Sequence, residues 1–193
     1  MQQGKVDARI QKTKEKLRRA LLDTLLEKKL SEITVSEICL KAGINRNTFY
    51  SHYQSVASLM SSIESEFSET LQEQLKESIS SGDGNMITLI DLLMTTVREN
   101  SDMCIFLFSE NGSQTYLNNI LDYCLPIALQ DWTAASDISE EDGKMLYRFI
   151  SGGAVSVISG WVKSGFTEPQ ESVVWKLTLY CQGILSSFKL TSR

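Results

Sequence analysis

Apolar residues recur at three- and four-residue intervals along most of the chain, the period of helices with one buried face, and no stretch alternates as a half-buried strand would. Leu17, Leu21, Leu22, Leu25 and Leu26 form such a stripe and predict a first helix from Ile10 to about Lys28, behind a polar, frayed stretch at 1–9. Leu30 and Ile33, in the connection that follows, are placed to plug a small core. Val35, Ile38, Cys39 and Ala42 give a short helix its inward face. Leu59, Ile63, Phe67, Leu71 and Leu75 recur every four residues and predict a long helix over 55–80. A four-residue repeat drifts around a 3.6-residue helix, so this element suits packing first on one body and then on another. Helical patterns continue at 86–99, 101–110, 114–131, 140–164 and 170–189, and the fold class they predict is all-α. Ser81 to Asn85 reads as a loop, Pro126 should kink or divide its helix, and Gly165 and Pro169 separate the last two. Ser101 and Ser139 are N-cap candidates, the latter followed by Glu140, Glu141 and Asp142, which suit the positive end of a helix.

Local chemistry singles out Thr34 to Tyr53, TVSEICLKAGINRNTFYSHY. Thr34 with Glu37 three residues on is a capping-box signature. Gly43 supplies the left-handed backbone that ends a helix, and Ile44 the apolar residue beyond it. Asn45 caps a second helix beginning at Arg46, which presents Arg46, Asn47, Thr48, Tyr50, Ser51 and His52. Phe49 and Tyr53, four apart, face inward as core. A helix so short and polar stabilises little and makes more sense as a contact surface. Two helices joined by a glycine-containing turn describe a helix-turn-helix, whose second helix enters the DNA major groove.

Charge changes the picture. The 193 residues carry a net charge of −5, which alone argues against nucleic acid. Residues 1–53, however, hold 11 Lys/Arg against 6 Asp/Glu, a balance of +5, and residues 54–193 hold 8 against 18, a balance of −10. A basic module on an acidic body suits a DNA-binding head on a domain that stays off DNA. The expected domains are therefore 1–53, the DNA-binding head, and 54–193, a regulatory and dimerisation domain that includes the connecting helix 55–80. Lys12, Lys14, Lys16, Arg18 and Arg19 lie on the polar surface of the first helix, either as a solvated face or as phosphate contacts that position without reading sequence. No apolar run approaches the ~20 residues that span a bilayer. No apolar segment follows the N-terminal charges as in a signal peptide. Cys39, Cys104, Cys124 and Cys181 are scattered, without a CxxC or metal-type cluster, so reduced thiols, a cytoplasmic location and no membrane are expected.

The segment AGIN-R-NTFYSHY resembles the recognition segment of the tetracycline-repressor-like (TetR) family of bacterial transcription regulators, AG(V/I)-S-x-x-T-(F/L)-Y-x-(H/Y)-(F/Y). Ala42, Gly43, Ile44, Thr48, Phe49, Tyr50, His52 and Tyr53 match, with Asn45 at the usual serine cap. The resemblance implies a three-helix head joined by a long helix to a C-terminal ligand and dimerisation domain. It implies that Tyr50 contacts phosphate through its hydroxyl. Family members usually carry a phosphate-contacting lysine at the start of the long helix, where this chain has Val56, with Ser55 as the cap. FISGGAVSVISGWVKSGF, at 149–166, is similar to a C-terminal signature of one branch. Family members dimerise through their last two helices, which places Gly153, Val157, Trp161, Leu177, Tyr180, Ile184 and Phe188 at a homodimer interface.

An enzyme is not expected. His52 is the only histidine, and no nucleophile–base set, HExxH or glycine-rich phosphate loop is present. No cofactor or metal is implied. Phe106, Tyr116, Tyr123 and Trp132 could line a ligand cavity or simply pack a core. The function expected is a repressor that binds a palindromic operator in double-stranded DNA as a homodimer and is released by a small-molecule effector. Arg46, Asn47, Thr48 and Ser51 are its candidate base readers, with Arg46 suited to guanine. Tyr50, His52, Lys12, Ser36 and backbone donors near 56 are its phosphate contacts. The alternatives are an activator, a regulator controlled by a protein partner, and a helical interaction module without DNA binding, which Val56 favours.

Overall fold

A computed structural model describes residues 3–80, 86–135 and 138–188, and among them every regular element is helical. The order is α1 (Gln3–Leu25), a 3-10 turn (Leu30–Glu32), α2 (Val35–Ala42), α3 (Arg46–Tyr50), α4 (Val56–Ser80), α5 (Met86–Glu99), α6 (Ser101–Leu107), α7 (Gln114–Ala135), α8 (Glu140–Lys163) and α9 (Gln170–Ser187). The all-α expectation holds. Helix α1 starts at Gln3, not near Ile10, so the stretch expected to fray is helical from there. It also ends earlier than expected: the N–H groups of Glu27 and Lys28 both turn onto the Thr24 carbonyl at 3.1 Å. Leu26 consequently leaves the apolar stripe and is 42% exposed. Pro126 does not divide α7, which continues through it. The loop expected at 81–85 lies outside the described residues.

The chain forms two compact units, Met1–Glu69 with Asp102–Gly112, and Thr70–Ser101 with Ser113–Arg193. Helix α4 begins in the first and ends in the second. In the first unit Leu17, Leu21, Ile38, Phe49 and Leu59 have no exposed surface and form the core around which α1, α2 and α3 gather. Helix α6 adds Met103, Cys104, Phe106 and Leu107, all buried. Burial of the Cys104 thiol pushes its pKa up to about 12, that of an inert core residue.

Two polar contacts tie α6 and the loop after it to α1. Arg18 Nε and Nη2 donate to the two carboxylate oxygens of Asp102, both at 2.9 Å, and Asn111 Nδ2 donates to the Leu25 carbonyl at 3.1 Å. The Arg18 side chain is only 14% exposed, so it is not part of the polar surface expected of it. Burial pushes the Asp102 carboxyl up, but the hydrogen bonds and charge of Arg18, with the Met103 N–H, hold it below the usual carboxylate range. Gly112 closes this segment where a Cβ would lie 2.1 Å from the Leu107 carbonyl oxygen.

In the second unit α5 packs on α9, α7 on α8, and α8 on α9. The fully buried Thr96 hydroxyl bonds the Leu92 carbonyl at 2.9 Å and the Gln74 side chain. Gln170 ties the start of α9 to α5 through Thr95 at 2.8 Å. Ser139 caps α8, accepting from the Asp142 N–H at 3.1 Å. By length and composition α8 is, among the described helices, the one apolar enough to cross a bilayer, which the sequence pattern did not anticipate. Two of its large apolar residues, Met145 and Phe149, are each 69% exposed within this chain.

Candidate nucleic-acid interface

The segment from Thr34 to Tyr53 is shaped by short-range hydrogen bonds. Thr34 Oγ1 accepts from the Glu37 N–H at 3.2 Å and starts α2. The Glu37 carboxylate pairs with Lys28 Nζ at 2.6 Å, and the Thr34 N–H adds to the hydrogen bonds that hold it below the usual carboxylate range, as the other half of the capping box. Helix α2 ends at Gly43, whose φ of +64° puts it in the left-handed region. The N–H groups of Gly43 and Ile44 then bond back to the carbonyls of Leu40 and Cys39 at 3.2 and 2.9 Å, the Schellman pair. Asn45 Oδ1 accepts from the Asn47 N–H at 2.8 Å and starts α3. Each bond joins groups a few residues apart, so this turn follows from the local sequence.

Phe49 has no exposed surface and Tyr53 is 8% exposed, so both are core as expected. The Phe49 ring meets the Tyr50 ring edge-on at 5.6 Å, while Tyr50 itself is 56% exposed. The ring is thus pinned at its base and the hydroxyl carried outward. Arg46, Asn47 and Ser51 are exposed, and Thr48 and His52 half-buried, on this small surface. Ser51 Oγ donates to the Thr48 carbonyl at 2.7 Å, which ties its proton to the helix end. Arg46 Nη2 donates to Ser36 Oγ on α2, so the two side chains are brought together. Lys12 is exposed on α1.

Val56 is 6% exposed and shares a shallow groove with Lys29, Leu30, Ile33 and Val35. Position 56 therefore serves packing here, a role a lysine could fill only with its stem. Ser55 and Ser58 cap each other, each hydroxyl accepting from the other's N–H, at 3.1 and 3.0 Å.

Five of the expected interface residues, Gly153, Val157, Leu177, Tyr180 and Ile184, line one apolar groove of about 500 Å³ between α8 and α9. Tyr180 is 53% and Phe188 47% exposed. Trp161 is buried in the last turn of α8. Its Nε1 donates to the Glu168 carbonyl at 2.8 Å and its ring meets Phe166 edge-on at 4.8 Å. Gly165 and Phe166 repeat the Schellman pair there, bonding to the carbonyls of Val162 and Trp161, both at 3.0 Å. The Trp-to-Gly-Phe spacing is thus helix-ending chemistry with its apolar contact. Of the candidate ligand residues, Phe106 is buried in the first unit and Tyr116 in the second. Tyr123 and Trp132 are half-buried, and Trp132 lies 6.4 Å from the Tyr147 ring. Neither groove above is lined by any of the four.

The residues sequence reasoning missed are Arg18 and Asp102, which hold α6 in the head. One signal was available: Arg18 stands three, four and seven residues from Leu21, Leu22 and Leu25, on the edge of the apolar stripe.

The TetR-type family described as Transcriptional regulator C-terminal region matches residues 84–183, just over half of the chain. The uncharacterised HTH-type transcriptional regulator YxbF of Bacillus subtilis (strain 168) is 43% identical over 56 residues, 28% of this chain, which spans only 15% of that relative's length. The fatty acid degradation regulator FadR from Bacillus halodurans superposes with a TM-score of 0.65 at 15% identity, covering 89% of this chain and 95% of FadR. A TetR transcriptional regulator from Streptococcus agalactiae 2603V superposes at 0.60 with 21% identity, covering 91% and 96%. At such identities the superpositions speak for the fold, and the match over the second half of the chain speaks for the lineage. The chain belongs to the TetR family of transcription regulators.

Proposed function

We propose that this regulator is a repressor that binds an approximately palindromic operator as a homodimer and is released by an effector acting on its second unit. The observation that carries the reading is the surface of α3. Phe49 on α3 and Tyr53 just beyond it are turned inward as core, and Arg46, Asn47 and Tyr50 are left exposed on a cap-defined helix with Thr48 half-buried beside them. Arg46, Asn47, Thr48 and Ser51 approach base edges, and Tyr50, His52 and Lys12 hold phosphates. The groove between α8 and α9 takes the matching helices of a second copy. Such a dimer must present its recognition helices about one helical turn apart, ~34–36 Å. An effector that favours another spacing releases DNA by its differential affinity for the two states.

Selection from random duplexes at low salt tests the DNA half of this reading, and a two-fold symmetric sequence should be enriched. Enrichment of nothing would leave a helical interaction module as the better account. Sedimentation of the protein at micromolar concentration tests the other half, and a monomer there would remove the dimer.

A further inference from the structure

A side-chain hydrogen bond joins α2 to α3 across their exposed side, Arg46 Nη2 donating to Ser36 Oγ. Ser36 is the second residue of α2 and Arg46 the first of α3. The backbones under both are held by the Thr34 and Asn45 caps and the Gly43 turn. Both residues are exposed, so packing does not force their side chains together. The charge of Arg46 is also felt at Cys39 on α2, where it opposes the larger upward push of burial on the thiol. The guanidinium therefore lies over α2 and does not project freely from α3.

We infer that Ser36 is a positioning residue for base recognition, its hydroxyl holding the Arg46 guanidinium so that the fork is aimed at one operator base. The inference rests on the DNA-binding reading above and assigns a role within it. Arginine has five N–H donors and no acceptor, so one bond to Ser36 leaves enough donors for a bidentate contact. Guanine offers the matching pair of acceptors, N7 and O6, on its major-groove edge. A long arginine side chain loses rotamer freedom when it is ordered. Ser36 bears part of that cost before DNA arrives, which is preorganisation. Ser36 accepts from Arg46 and keeps its own proton, so it remains a donor at the same position.

The test uses the full chain and the duplex that it selects. Arg46→Ala first identifies the base pair at which preference depends on Arg46. Four duplexes differing only there are then titrated by fluorescence anisotropy with wild type, Ser36→Ala, Ser36→Thr, Arg46→Ala and the Ser36→Ala/Arg46→Ala double variant. The expected result is that Ser36→Ala lowers discrimination at that position roughly tenfold, within the range of a good bidentate contact. Ser36→Thr should retain the discrimination, and the double variant should match Arg46→Ala. A Ser36→Ala variant that weakens all four duplexes equally, as a phosphate contact or a fold defect would, overturns the inference. So does one that changes nothing, or one whose effect adds fully to that of Arg46→Ala. Preference that tracks Arg46 alone sinks only this inference, whereas wild type without any preference sinks the DNA-binding reading with it.

Discussion

Asp102 carries more of the head's integrity than its place on a seven-residue helix suggests. It accepts from two N–H groups along one edge of a largely buried guanidinium, and removing it takes away that charge's hydrogen-bonded counter-ion. Asp102→Ala should destabilise the first unit by about 2 kcal/mol, between an exposed pair and a fully buried one. Urea unfolding measures this. Because Arg18 lowers the folded-state pKa of Asp102, the contribution is complete above the unfolded carboxylate value near ~3.9 and is lost as pH falls below it. The gap between wild type and Asp102→Asn should therefore shrink as unfolding is measured from pH 6 toward pH 3. A gap that widened would contradict the pairing. On the proposed DNA face, Tyr50→Phe removes only a hydroxyl from a ring that is 56% exposed. It should weaken binding about equally across sequences, the signature of a phosphate contact, whereas Arg46→Ala should relax preference at one position. Val56→Lys should steepen the salt dependence of binding by close to one unit, at some loss of packing against the Ile33 groove.

At the scale of elements, the helix-turn-helix was legible because its determinants are local. Thr34, Gly43 and Asn45 act within four residues of themselves, and so their side-chain types announce their geometry. Gly43→Ala should cost about 1 kcal/mol, because alanine must occupy the left-handed region there. A thermal melt of the variant checks it. What was not legible is the membership of α6. Its sequence neighbours α5 and α7 belong to the second unit, and Arg18 and Asp102 stand 84 residues apart. No periodicity or spacing connects such a pair, and only the folded chain shows it. The end of α8 taught the opposite lesson. The family resemblance places Trp161 at a dimer interface, yet its ring N–H bonds the Glu168 carbonyl and its own carbonyl accepts from the Phe166 N–H inside the chain.

For the whole molecule, the division of charge pointed to a DNA-binding head on an acidic body, and family membership now supports transcriptional regulation. The apolar surface of α8 and α9 is the feature a single chain leaves unexplained. Phe149 and Tyr180 are both more than half exposed beside the glycines of α8. If this groove takes a second copy, Phe149→Glu should shift the protein toward monomer in sedimentation velocity. It should also weaken operator binding at least tenfold, since both half-sites must be held at once. The central claim, that α3 reads a specific sequence, is tested most directly by one titration. Wild type and Arg46→Ala are measured at fixed salt against the selected duplex and a scrambled duplex of the same composition. Wild type should prefer the selected duplex by roughly a thousandfold or more, and Arg46→Ala should lose a large part of that ratio. Equal affinity of wild type for the two duplexes would contradict it.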